Sequence, residues 1–245
     1  AGIPLRRSWS VGNRCTLMPD ESGHVPFLFP GRVPGSETIV PDMDRINPDY
    51  FRSLDRKMQY LSDQGFVPFF ESVRRDQTTA WRQYYDWPGS FWRYLQYLVA
   101  RYGCYNMIFS GIHADALSKP WLSGPEWNEV LTAHLQRDGP MPFVRLRSTN
   151  ISGSTYRQYG HGPTAPWLTL HGVGNTPRDH RIFPLLEEMF RLPDPLPMLN
   201  NEPFYPHSAN PQAAKVHGDQ AANTRACAYG SVLNGALAGH VYGTQ

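Results

Sequence analysis

Cysteine is scarce in this chain, with Cys15, Cys104 and Cys227 the only three in 245 residues. They are too scattered for a disulfide framework and none has CxxC spacing, so at most one disulfide can form within the chain. Long apolar runs are missing as well. FVPFF and VPFLF fall far short of the roughly 18 residues that cross a bilayer, so no membrane span is expected. Charge of one sign is not in excess either: 23 Lys and Arg stand against 21 Asp and Glu, a net +2. That balance lacks the footprint of a polyanion binder, and no nucleic-acid partner is expected. No glycine-rich phosphate loop follows a strand-like run, and neither HExxH nor GxSxG occurs. Nucleotide-binding sheets, zincin-type sites and serine-centred hydrolysis therefore find no support. The nine histidines show no ligand spacing, so no metal and no cofactor is expected.

What is present is an ordinary folding composition, 40% apolar, 13% aromatic and 18% charged, enough to bury a sizeable core. The opening AGIPLRRSWS has neither an initiator Met nor an apolar signal core, and is expected to belong to a processed chain or a piece of a longer one. Residues 1–46 are rich in Pro and Gly and lack a sustained apolar period, which reads as a long packed loop region. From residue 47 onward a regular grammar begins. NPDYFRSLDRKMQYLSDQG predicts a helix capped by Asn47, with Pro48 in its first turn, Phe51, Leu54, Met58 and Leu61 on one face, and Gly65 as its stop. FVPFFES follows as a buried strand. SFWRYLQYLVARYG, with Phe91, Tyr94, Leu95, Leu98, Val99 and Tyr102 inward, precedes a second strand in YNMIFSGI.

GPEWNEVLTAHLQRDG then predicts a helix and MPFVRLRS a strand; WLTLHG is a fourth strand. RDHRIFPLLEEMFRL is a helix after Thr176-Pro177, PMLNNEPF a fifth strand, TRACAYGSVLNGALAG a small-residue helix and GHVYG a last short strand. The expected strand ends fall near Glu71, Ile112, Arg147, His171, Glu202 and Val241. Strands alternating with helices in this rhythm are consecutive βα units of an α/β protein. Glu, His and Asn-Glu at successive strand ends favour a (β/α)8 barrel over an open doubly wound sheet, because a barrel's active site gathers at those ends. A full barrel takes eight units in about 250 residues. With six strands here, two units are expected on another polypeptide, whose arrival would close the split core and the open strand edges.

Two strand ends carry the chemistry. In LNNEPFYP, Asn200, Asn201 and Glu202 end a buried strand that Pro203 stops, which aims Glu202 toward the barrel mouth. In IFSGIHAD, His113 and Asp115 follow a strand in the same way. Two facing carboxylates suit glycoside hydrolysis, one protonating the leaving oxygen and the other attacking or activating water. Each reading has a plain structural rival: Glu202 as a carboxylate satisfied by backbone donors, Asp115 as a helix N-cap. Glu71 would hydrogen-bond a sugar hydroxyl or pair with Arg74 or Arg75 at the rim. His171 would orient a carboxylate or a sugar hydroxyl, or serve as a satisfied core histidine. Among the seven tryptophans Trp121 is best placed for stacking on a sugar ring, the others reading as core. Tyr205, His207 and Tyr242 lie where they would line sugar subsites. Arg145, Arg147 and Arg157 would bind an acidic sugar or pair with the chain's own carboxylates.

NPDYF, the helix ending at Gly65, FVPFF, SFWRYLQYLVARYG with YNMIFSGIHAD behind it, LNNEPFY and AYGSVLNGALAGHVYG together resemble the apiosidase-like glycoside hydrolase family, over about residues 47 to 243 with gaps. The resemblance implies a (β/α)8 barrel that cleaves glycosidic bonds of plant or microbial polysaccharides. It implies Asp115 as acid/base after strand four and Glu202 as nucleophile after strand seven, without a cofactor. Where the family usually carries Gly-Gly before the acid, this chain has His113-Ala114-Asp115. The same resemblance numbers the six strands three to eight and leaves strands one and two to a second chain of a hetero-oligomer, or missing through an incomplete sequence. A polysaccharide substrate implies a secreted or periplasmic location. A rival of another class is an inactive barrel serving as a carbohydrate-binding or structural subunit, since fold does not imply activity.

Overall fold

The structure is a computed structural model that describes residues 9–10, 14–15, 19–32, 39–75, 78–114, 122–139, 146–174, 180–203 and 220–241. The chain divides into two compact units, residues 1–108 with 136–145, and residues 109–135 with 146–245.

The first unit opens with β1 (Trp9–Ser10) and β2 (Arg14–Cys15), an antiparallel pair. β3 (Phe27–Arg32) and β4 (Ile39–Ile46) then form a second antiparallel pair, with register shifts on both sides of Leu28. This departs from the loop expected over residues 1–46. Pro30 and Pro41 read as breakers and hide the alternation, yet a strand at a sheet edge tolerates proline. Phe27 and Met43 are buried, whereas Asp44 and Arg45 are exposed.

α1 (Pro48–Asp63) is separated from β4 by Asn47 alone, whose Oδ1 accepts from the Asp49 amide at 3.1 Å. It closes at Gly65, where φ is +77° and the amide donates to Ser62 O, as a helix stop requires. β5 (Phe69–Glu71), α2 (Thr78–Tyr84) and α3 (Gly89–Tyr102) follow. Of the residues expected on the inner face of α3, Phe91, Tyr94, Leu95, Leu98 and Tyr102 are buried and Val99 is half-buried. Phe91 and Tyr94 pack with Phe27 and Trp81 in a cluster of edge-on and tilted rings 5.0–5.5 Å apart, a favourable geometry for aromatic quadrupoles.

The second unit takes in all but the first residue of β6 (Ile108–Ala114) and all but the last turn of α4 (Gly124–Asp138), then β7 (Leu146–Ile151), β8 (Gly153–Ser154) and α5 (Thr155–Tyr159). After a turn of 3-10 helix over Gly162–Thr164 come β9 (His171–Gly174), a second such turn at His180–Ile182, α6 (Phe183–Phe190) and β10 (Met198–Glu202). α7 (Gln220–Leu233) and β11 (Gly239–His240) complete it. The sheet runs β8, β9, β10, β11, with β9, β10 and β11 parallel and β8 antiparallel to β9. Val173 of β9 and Met198 of β10 pack on Ile182, Leu185, Leu186 and Met189 around α6. The fold is thus mixed α/β with parallel sheet, as the βα rhythm predicts.

Three boundaries differ from expectation. The third strand starts at Leu146 and reaches Ile151 rather than ending near Arg147; residues 141–145 lie outside the described residues. The fourth starts at His171 rather than ending there. In the run ahead of it Trp167, Leu168 and Leu170 are buried outside any strand, because the Thr169 and Leu170 amides both donate to Arg147 O instead of entering a ladder. A short buried apolar run carries no periodicity that separates these outcomes. The small-residue helix stops at Leu233, not near residue 239, because Gly235 with φ +103° turns the chain back and the Ala236 amide caps Ser231 O.

Candidate active site

β10 sets the geometry of the Asn-Asn-Glu run. Met198 pairs with His171, Leu199 with Gly172 and Asn200 with Val173, and then the register slips so that Glu202, not Asn201, stands opposite Gly174. Side chains alternate along a strand, and paired residues of parallel strands share a face. Met198, Asn200 and Val173 therefore face the helices: Val173 and Met198 join the α6 core, and Asn200 Nδ2 donates to Ser231 Oγ of α7 at 2.9 Å. Unbroken alternation would put Glu202 on that same covered face. The bulge at Asn201 carries Glu202 to the opposite face, shared with Gly172 and Gly174, and leaves it half-buried at the carboxyl end of a parallel strand.

Asn201 lies on that face too. Its Nδ2 donates to Thr149 O of β7 at 3.1 Å, and the amide passes over β9 where two glycines leave no side chain. A Cβ on Gly172 would sit 2.9 Å from Asn201 Nδ2, and one on Gly174 would sit 2.6 Å from Asn201 Oδ1 and 2.9 Å from Glu202 Cβ. Asn201 Oδ1 and the nearby strand residue's Asn150 Oδ1 are buried and have no hydrogen-bond partner among the described residues. These glycines, Thr149 and Asn150 were not singled out from the sequence; the HGVG run holds the signal, two glycines at strand spacing.

The remaining expected residues are distributed unevenly. Glu71 ends β5 in the first unit and is exposed. His113 is half-buried in β6, one residue before its end, and Asp115 lies just beyond, outside the described residues. Trp121, Tyr205, His207 and Tyr242 also lie outside them. Trp81, Trp127 and Trp167 are buried, as core residues. Arg157 pairs with Glu188 at 2.8 Å, the self-pairing alternative, and Arg147 Nε donates to Trp167 O.

His171 is placed differently from expectation. It opens β9 and is fully buried, opposite Met198 at the start of β10 and so at the other end of the strands from Glu202. Its Nδ1 lies 2.9 Å from Thr155 Oγ1 and its Nε2 3.2 Å from His161 Nδ1. Thr155 Oγ1 also accepts from the Gly172 amide. Burial, and next the charge of His161, push the imidazole down to about 4, so it is neutral near pH 7. This is the satisfied core histidine of the two readings. No three His, Cys, Asp or Glu side chains among the described residues are grouped to hold a metal ion, and no helix among them is long and apolar enough to cross a membrane.

Parallel strands alternating with helices, one of them ending on amide and carboxylate side chains, define an α/β protein. The chain belongs to the apiosidase-like family, whose catalytic-domain model matches residues 19–245. No curated protein matches it. Its fold is similar to that of a solved structure described as a glycoside hydrolase, at 15% identity and TM-score 0.66, over 93% of this chain and 52% of that one. It is also similar to a glycoside hydrolase family 5 protein of Bacteroides vulgatus, at 15% identity and TM-score 0.68, over 93% of this chain and 50% of that one. The chain therefore spans about half the length of the solved structures it matches. At 15% identity these likenesses are ones of fold, and the family rests on the match over residues 19–245.

Proposed function

We propose that the chain carries the two carboxylates of a glycoside hydrolase acting on a polysaccharide or oligosaccharide by a retaining mechanism. The observation that carries this reading is Glu202, turned by the Asn201 bulge onto the face away from α6 and α7 at the carboxyl end of a parallel strand. Active sites of parallel barrels are built at those ends. Glu202 attacks the anomeric carbon while the bond to the leaving oxygen breaks and Asp115 gives that oxygen its proton. Asp115 then takes a proton from water, whose oxygen displaces Glu202 from the anomeric carbon and regenerates both carboxyls. This requires the two carboxyl groups about 5 to 5.5 Å apart. Glu71, His113, Trp121, Asn201, Tyr205, His207 and Tyr242 are assigned to the sugar; His171 is not.

The architecture proposed with this chemistry is a (β/α)8 barrel in which the chain supplies units three to eight and a second polypeptide supplies two. Two features support it. β11 pairs only with β10 among the described residues, and the outer side of α7 exposes Tyr229, Val232 and Leu233, with Leu237 beyond. A polysaccharide substrate places the protein outside the cytoplasm.

The test is turnover of 4-nitrophenyl glycosides and oligosaccharides by the wild type, Glu202→Gln and Asp115→Asn, with the product anomer read by proton NMR. Each variant is expected to lose a factor of about 10² or more, and the first-formed anomer to be retained. Wild-type turnover by Glu202→Gln would sink the assignment, and an inverted anomer would sink the retaining mechanism.

A further inference from the structure

We propose that Gly174 and Asn201 form a positioning device for Glu202, in which the bare Cα of Gly174 admits the Asn201 amide and that amide holds the bulge that orients the carboxylate. The inference rests on the reading of Glu202 as catalytic and adds residues that act through it. Three observations meet here. The register slip leaves Asn201 as the extra residue and sets Glu202 against Gly174. The Asn201 amide is tied down by its bond to Thr149 O across β9. The space over Gly174 is already taken: a Cβ there would lie 2.6 Å from Asn201 Oδ1, 2.8 Å from the Glu202 amide nitrogen and 2.9 Å from Glu202 Cβ.

Two of those three atoms belong to the Glu202 backbone or its first side-chain atom, so they cannot swing aside as the end of a long side chain does. A methyl group at Gly174 must push the bulge itself. Gly172 differs, since its Cβ would meet only the amide, at 2.9 Å from Asn201 Nδ2, and Thr149 O at 3.4 Å. A bulge is a device for re-aiming a side chain at a site, and here the steric gap in β9 and the amide anchor fix which way it aims.

The experiment uses the full chain with Gly174→Ala, Gly172→Ala and Asn201→Asp. Asn201→Asp keeps the volume but removes the donor to Thr149 O. On the 4-nitrophenyl glycoside that the wild type hydrolyses fastest, Gly174→Ala is expected to lower kcat about a hundredfold with KM little changed, Asn201→Asp to lower kcat by a similar factor, and Gly172→Ala about tenfold, because small misplacements of a reacting group act on kcat. A second readout needs no substrate. The 13C carboxyl signal that disappears in Glu202→Gln should change its chemical shift at a fixed pH in Gly174→Ala and in Asn201→Asp, because the carboxylate is re-aimed in both.

Folded Gly172→Ala and Asn201→Asp proteins with wild-type kcat and an unmoved Glu202 carboxyl signal would overturn the proposal. So would a Gly174→Ala protein whose only change is a lower Tm. Full turnover by Glu202→Gln would instead remove the catalytic reading, while a moved Glu202 carboxyl signal would leave the positioning role standing.

Discussion

His171 and Glu202 occupy opposite ends of one parallel strand pair, His171 opening β9 opposite Met198 and Glu202 closing β10 opposite Gly174. The imidazole is sealed between Thr155 and His161, whereas the carboxylate stands where parallel strands present their reactive groups. The two side chains are therefore tested by different measurements.

For His171 the measurement is stability against pH. Its folded value is lowered to about 4 from the ordinary 6.5, first by burial and then by His161. Between these values the unfolded chain binds a proton that the folded chain refuses. Its contribution is thus complete above pH 6.5, falls as the pH drops toward 4, and changes no further below that. The expected loss is on the order of 3 kcal/mol. Urea midpoints from pH 7 to 4 should show a slope in the wild type that His171→Asn flattens. Equal slopes would mean that another group supplies it.

The ion pair joining α1 to α3 makes a second prediction. Asp55 accepts from Arg101 Nε at 2.7 Å and from the Tyr102 hydroxyl at 3.0 Å, and Arg101, foremost, lowers its pKa. A lowered carboxyl contributes stability above its unfolded value, near 3.8, and loses it as the pH falls through the folded one. Asp55→Ala is expected to cost about 1–2 kcal/mol at pH 7, with the gap to wild type narrowing at pH 3. A gap that is the same at both pH values would assign the loss to packing.

The aromatic cluster separates volume from polarity. Phe91 and Trp81 are both fully buried, and Trp81 Nε1 has no hydrogen-bond partner among the described residues. Phe91→Ala should cost about 3–5 kcal/mol by leaving a cavity. Trp81→Phe should cost less, about 1–2 kcal/mol, because it removes an N–H that burial penalises along with the lost volume. Chemical denaturation orders the two, and the reverse order would contradict the packing described.

The proposed second polypeptide is tested on α7. Leu233 and Leu237 are 82% and 74% exposed, so Leu233→Asp with Leu237→Asp should change the stability of the chain itself by no more than about 0.5 kcal/mol. If a partner supplying two βα units packs there, native mass spectrometry of the purified complex should show that partner lost in the variant. A wild-type complex containing this chain alone would remove the partner and the two-piece barrel.

Much of the fold is legible in local chemistry. The Asn47 cap, Pro48 and Gly65 bound α1, and the apolar period of α3 survives intact, because helix ends and helix faces are fixed by residues a few positions apart. β5, β6 and β10 stand close to where short apolar runs between Gly and polar residues put them. The hairpin over residues 27–46 was not legible, since Pro30 and Pro41 mimic loop punctuation. Nor was the start of β9, where Trp167–Leu170 is apolar enough for a strand but its amides are claimed by Arg147.

The sequence by itself determined the α/β class, the family and the Asn-Glu-Pro strand end, because periodicity, caps and a short motif are local properties of the chain. Only the tertiary structure decided which way Glu202 faces and which end of the strands His171 occupies. Strict alternation along β10 would bury Glu202 against the helices; a one-residue bulge, held by an amide lying over two glycines of a neighbouring strand, reverses it. Register between strands distant in sequence is set by what their side chains leave room for, and no local pattern records that.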